Sequence, residues 1–351
     1  MMRYRKAILF AAIFCMLVGC SASDKRGLEF DETINLSGQN WEVNEHLGKV
    51  FNISLMEDFA ALRNDWEETL LTLIDISDRN RVYHFGKRGG GPDELINPGP
   101  MISGSECLDV FDGTKMSLMH YDADSIVAGD SVAKQIRFHT SLPGIISLVS
   151  LQDSNYVASG VFQEGRLCLM GKDGTACAYA GDYPVNENPE GIPFHVLGVA
   201  YQSLMCVQPR GKRTALVTRY GGILQIYEWD LSGKTAKEIS CINEFTPKLT
   251  THDINGTPNF RPDSETRWGY LAVDATEKYI FALYSGRLQK DGNAFHLGNE
   301  IHVFDWEGKP CYLLRLDCEG SSLAVRDNKL LVLAEYENMG NDIVEYNLSL
   351  E

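Results

Sequence analysis

What this chain lacks narrows its chemistry before any motif is read. It carries no HExxH pair, no GxSxG elbow and no CxxC. Metalloprotease, α/β-hydrolase and zinc-ribbon chemistry therefore have no foothold. No segment shows the 3.6-residue apolar period of an amphipathic helix. Past residue 18, no run is long and apolar enough to span a bilayer. Positive charge is scarce, with 32 Lys+Arg against 48 Asp+Glu and a net charge of −16. Such a surface repels phosphate backbones, so no nucleic-acid partner is expected. Of nine cysteines, Cys15 and Cys20 lie near the N-terminus, which leaves an odd number set mostly in apolar runs. They read as small buried hydrophobes and not as a disulfide framework. The histidines show no ligand-like spacing with carboxylates, so neither a metal nor a cofactor is expected.

What is present begins with a secretion signal. Arg3, Arg5 and Lys6 precede an apolar stretch from Ala7 to Val18, which ends on Leu17-Val18-Gly19-Cys20. Small residues before a cysteine form a bacterial lipoprotein cleavage box. The reading is a signal peptide over residues 1–19, a lipid on Cys20, a tether over 20–27 and one domain over 28–351. Loss of Arg3, Arg5 and Lys6 takes the net charge from −16 to −19. The lipid is the expected membrane partner. The expected place is the cell envelope, on the outer membrane, with the periplasmic and surface faces both open.

The remaining sequence is a succession of short strands. Apolar, β-branched and aromatic runs alternate with Gly/Asp/Asn/Lys turns. Leu70–Ser77 with Arg81–Gly86, Leu167–Met170 with Thr175–Ala180, and Glu300–Trp306 with Pro310–Leu316 read as hairpins. Leu271-Ala272-Val273 recurs as Leu323-Ala324-Val325, and Ala282-Leu283-Tyr284 as Ala334-Glu335-Tyr336, at one shared offset. A repeat of about 50 residues made of strands points to a β-propeller. The last unit has only three strands of its own, so the N-terminal segment Leu28–Leu36 is expected to supply the fourth. The fold expected is all-β, a six-bladed β-propeller whose last blade is closed by an N-terminal strand.

Loop lengths are asymmetric. First-to-second and third-to-fourth strand turns are short, such as Asp274–Glu277 and Lys172–Gly174. Second-to-third strand loops and crossovers are long, such as Lys87–Pro100 and Asn243–Arg267. In an up-and-down blade these two sets emerge on opposite faces, so one face carries most of the irregular chain and is the candidate for binding.

Three segments together resemble the TolB-like six-bladed β-propeller lipoproteins of Gram-negative bacteria. They are Gly89-Gly90-Gly91-Pro92-Asp93-Glu94, the run from Tyr279 to Arg287, and the run from Ile301 to Pro310. Leu95 departs from the aromatic residue often found there. The resemblance covers the domain and implies a lipid-anchored propeller of no established activity.

Candidate ligand-binding residues follow from the long-loop face. Arg166, Arg219 and Arg287 each sit at or near a second-to-third strand loop, where guanidinium groups could meet an acidic ligand. Pairing with Glu94 or Glu164 is the structural alternative. Tyr284 leads into Arg287, Arg88 and Glu94 flank the glycine-rich crossover, and Trp268 offers an aromatic face. The function expected is a non-enzymatic binding or scaffolding propeller that engages a protein, peptide or glycan through its long-loop face. The alternative is a propeller hydrolase or lyase acting on a lactone or polysaccharide, which would need inward carboxylates with His or Asn at inner-strand ends.

Overall fold

The computed structural model describes residues 27–64, 68–184, 191–336 and 340–350. The expected signal peptide over residues 1–19 and the expected lipid site Cys20 lie outside the described residues. Four blades stand as separate four-stranded antiparallel sheets. Blade one is Val50–Leu55, Phe59–Asn64, Thr69–Asp75 and Val82–Lys87. Blade two is Pro98–Ser103, Cys107–Asp112, Ser117–Asp122 and Gln135–His139. Blade three is Ile145–Ser150, Tyr156–Gly160, Leu167–Met170 and Ala176–Ala180, and blade four is Ser203–Val207, Arg213–Thr218, Ile223–Asp230 and Thr235–Asn243.

The fifth and sixth blades share one eight-stranded sheet. Tyr270–Ala275, Tyr279–Tyr284 and Gly298–Asp305 lead into Pro310–Arg326, a single strand of 17 residues. Its first half is the outer strand of blade five and its second half the inner strand of blade six, which continues through Lys329–Tyr336 and Gly340–Asn347. Gly320 marks the handover, paired with both Gly298 and Ala334. A Cβ there would lie 2.5 Å from Val332 Cγ1, so the close approach requires glycine. The repeat seen in the sequence is this pair of blades.

Inner strands of successive blades lie side by side around the whole ring. The apolar residues on both faces of each blade then meet those of its neighbours. Leu73 of blade one packs with Val110 and Met119 of blade two. Val217 and Ile226 of blade four pack with Ile280 and Phe304 of blade five. Trp229 and Trp306 are core residues, as their strand positions suggest. The free cysteines are mostly buried or half-buried, Cys241 alone among them being exposed.

The N-terminal segment does close the ring, but not with the residues expected. Glu32–Asn35 runs parallel to Tyr312–Arg315 on the outside of blade five. Closure comes from the next few residues, where Gln39–Asn40 pairs antiparallel with Glu345 and Val344. The apolar side chains of the first piece, Ile34 and Leu36, pack on the core between blades five and six. The closing piece is polar and short, and its burial is carried by Trp41. Trp41 Nε1 donates to Glu345 Oε2 at 2.7 Å, and the Arg79 guanidinium stacks 4.7 Å from its ring while pairing with Glu345 at 2.8 Å. Two short helices also interrupt the all-strand expectation. The first, α1 (Ala123–Val127), is capped by Asp122, which accepts from Ser125 N. The second, α2 (Phe194–Ala200), lies in the crossover from blade three to blade four. Both are too short to leave a helical period in the sequence.

Two predictions follow from this packing. Trp41→Ala removes an aromatic core residue and frees the edge of Gly340–Asn347, and should cost about 3–5 kcal/mol in chemical denaturation. A loss below about 1 kcal/mol would show that closure does not depend on it. His302 is 5% exposed, stacked 4.5 Å from Tyr284, and burial pushes its pKa down to about 3. The unfolded chain takes up this proton near pH 6.5 while the folded one refuses it. The stability His302 supports is therefore full above about pH 6.5 and lost as pH falls toward 3. His302→Phe should flatten that acid limb of the stability profile; an unchanged limb would assign it to other groups.

Candidate functional site

The six inner strands enclose a channel of about 1570 Å³. Its wall includes Ile53, Leu55, Leu148, Met205 and Leu323, and its lining runs from Arg63 and Arg219 at one end to Asp274 and Asp327 at the other. The loop asymmetry is present. The crossover from blade four to blade five carries an extra hairpin, Thr251–Ile254 with Thr257–Phe260, joined to α2 by His195 Nε2 against Pro258 O at 2.8 Å. One exception lies on the trimmed face, where α1 lengthens the turn before Gln135–His139.

Arg63 and Arg219 stand at the channel mouth on the long-loop face. Arg63 lies near the end of the second strand of blade one, and Arg219 directly after the second strand of blade four, on the opposite side of the ring. Arg63 Nη1 donates to Pro98 O at 2.8 Å, and its guanidinium lies 5.3 Å from the Phe51 ring. Its Nε is buried without an acceptor. Among the described residues, no acceptor or carboxylate meets the Arg219 side chain. Burial lowers the pKa of both, and the charge of Arg219 lowers that of Arg63 further. Trp268 shares the lining, its ring packed on Tyr220 at 5.1 Å and Phe295 at 5.0 Å, with its Nε1 buried and unpartnered. His296 and Glu335 also line the channel and pair with each other at 3.4 Å.

Arg63 was legible and overlooked. It follows an apolar run in the second strand, Phe59-Ala60-Ala61-Leu62, as Arg219 follows Ala215-Leu216-Val217-Thr218. The position before a second-to-third strand loop, already singled out for Arg219, applies to it equally.

The other candidates are placed elsewhere. Arg166 is 2% exposed, between blades three and four. Its Nη2 donates to Tyr201 O at 3.0 Å, Ser203 Oγ at 2.5 Å and Thr218 Oγ1 at 2.7 Å, and Nη1 donates to Gln225 Oε1. Its partners are neutral oxygens, not the carboxylates Glu94 or Glu164. Arg287 donates to Ala294 O at 3.0 Å and pairs with Glu319 at 2.8 Å, fastening its own loop. The Tyr284 ring is engaged by His302. Glu94 accepts from Gly91 N at 2.8 Å and pairs with Lys87 at 3.1 Å, which folds the glycine-rich crossover on itself. The exposed Arg88 belongs to the same crossover, bridged to Leu95. Only Arg219 and Trp268 of the expected set line the channel.

Toward the opposite mouth, burial pushes the Asp274 carboxyl up to about 6. Its two oxygens accept from Ala275 N and Val325 N, each at 2.8 Å, linking blades five and six. Among the described residues, no group of three or more His, Cys, Asp or Glu is arranged to hold a metal ion.

The sequence model of one protein family, described as TolB-like 6-blade propeller-like, matches residues 49–328. The chain belongs to this family. Solved structures similar to this TolB-like propeller include a putative exported protein of Bacteroides fragilis, with a TM-score of 0.53 and 11% identity over 91% of this chain and 100% of that one. A DUF4221-family member from Bacteroides vulgatus gives 0.52 and 9% over 90% and 98%. The Cps50 (Swd1) propeller domain of Myceliophteria thermophila gives 0.50 and 8% over 87% and 99%. At such identities the likeness shows the fold alone. Among curated proteins, none matches this TolB-like chain.

Two substitutions separate structural arginines from exposed ones. Arg166→Ala strands several buried polar groups and should cost about 3–5 kcal/mol. Arg287→Ala removes a half-exposed pair and should cost under about 1 kcal/mol. Equal losses in chemical denaturation would contradict this division.

Proposed function

We propose that this TolB-like propeller is a non-enzymatic, lipid-anchored binding or scaffolding protein of the cell envelope, which engages a protein, peptide or glycan through its long-loop face. The observation that carries the reading is the state of the channel mouth. Arg79, Arg81, Arg213, Arg287, Arg315 and Arg326 all lie within ion-pair distance of carboxylates. Arg63 and Arg219, both in the channel lining, meet none among the described residues. Cations left without counter-charge at the channel mouth are matched by an acidic group of a ligand.

The path of the N-terminal segment supports the anchor. Leu28 N donates to Glu244 Oε1 at 3.2 Å, at the rim of the long-loop face. A tether from Cys20 to Gly27 reaches at most about 25 Å, so a lipid on Cys20 would hold that rim near the membrane. Phe194, Val199 and Ile254, which are 44%, 37% and 58% exposed, sit on the same α2–hairpin projection beside it.

Fractionation followed by affinity capture from native membranes tests both halves. Cys20→Ala should move the protein to the soluble fraction or leave it unprocessed, and Arg219→Ala with Trp268→Ala should lose the captured partner while keeping the fold. A processed, membrane-bound Cys20→Ala protein would remove the anchor. A partner retained by the double variant would remove the face.

A further inference from the structure

We infer that the channel mouth is an oxyanion site, in which Arg63 and Arg219 close from opposite blades on an anionic group of the ligand. This deepens the reading of the long-loop face as the binding face and rests on it. The mouth holds cations that meet no carboxylate. Arg63 Nε and Trp268 Nε1 are buried without partners, and the Arg219 side chain has no acceptor among the described residues. Glu335, a carboxylate in the same lining, is taken by His296 at 3.4 Å. A neutral ligand would leave these cations without counter-charge, which an acidic group supplies.

The geometry of Arg63 sharpens this. With Nη1 committed to Pro98 O and Nε buried, the side chain is oriented and Nη2 is the nitrogen left for a ligand. It can donate to one oxygen of a carboxylate, sulfate or phosphate. Phe51 backs the guanidinium at 5.3 Å, and Lys49 Nζ lies 5.2 Å from the same ring, adding a third cation on that side. Burial first, and then the charge of Arg219, disfavour the charge on Arg63, and both arginines line the same channel. Wall residues such as Ile53, Leu148 and Met205 offer little to a charge, which places the anionic group at the mouth and the rest of the ligand over or along the channel.

Malonate, succinate and glutarate, with inorganic phosphate and sulfate as separate arms, are titrated against the full chain at constant ionic strength, with chloride as reference. Calorimetric binding and melting temperature are read together. At least one oxyanion should bind and raise the melting temperature. That response should weaken about tenfold to a hundredfold in Arg63→Met and in Arg219→Met, and stay unchanged in Arg287→Met. A preferred dicarboxylate length would assign carboxylates reaching both arginines, and a preference for phosphate or sulfate a single tetrahedral group. Without anion, Arg219→Met should melt no lower than the wild type, because it removes a half-buried charge that lacks a partner. The inference is overturned if no oxyanion binds, if binding survives both substitutions, or if Arg219→Met lowers the melting temperature as Arg166→Ala does. A neutral ligand, captured through the long-loop face and kept by Arg219→Met, would overturn the oxyanion site while the face reading stands.

Discussion

Each blade of this propeller is apolar on both faces, so each needs a neighbour on either side, and only a closed ring supplies one to every blade. The hydrophobic clusters follow that rule. Phe111 and Leu118 of blade two share a cluster with Cys168 and Met170 of blade three, and Leu62 and Ile74 of blade one share another with Leu331 and Leu333 of blade six. The second of these joins residues from the two ends of the domain. Trp41 lies in it, so the residue that locks the closing strand also seals the last interface. The channel is what remains when six such interfaces have formed.

Charge is distributed around this apolar ring with equal consistency. At the rim, arginines meet carboxylates, as Arg213 does with Glu228 at 2.8 Å and Glu307 at 2.7 Å. Between blades three and four, Arg166 replaces water with hydroxyl, carbonyl and amide oxygens, and so serves as a polar rivet inside an apolar contact. The channel mouth departs from both arrangements. Sites of binding are commonly places where a fold leaves its own groups unsatisfied, because a group already partnered has little to offer a ligand.

The strands and their order were largely legible because each hairpin is local: apolar runs end at turn residues, and the two sides pair within a few residues. The repeat from Leu271 to Tyr336 was legible for the same reason. What escaped depends on distant partners. The parallel addition of Glu32–Asn35 has no turn to announce it, and Gln39-Asn40 is too polar and short to look like a closing strand. Which arginine faces the channel was equally hidden. Arg166, Arg219 and Arg287 have similar local sequence positions, yet one is sealed between blades, one faces the mouth and one pairs with Glu319. Burial and pairing, which decide between them, are properties of the assembled ring.

The bond between Trp41 and Glu345 joins residues 304 positions apart. Its kinetic meaning differs from its energetic one. Blade six cannot be completed until the end of the chain has left the ribosome, and until then blade one has an open flank. Contacts of such long sequence separation pay their loop-closure entropy before they return any stability, so the last step of folding is slow and falls after synthesis.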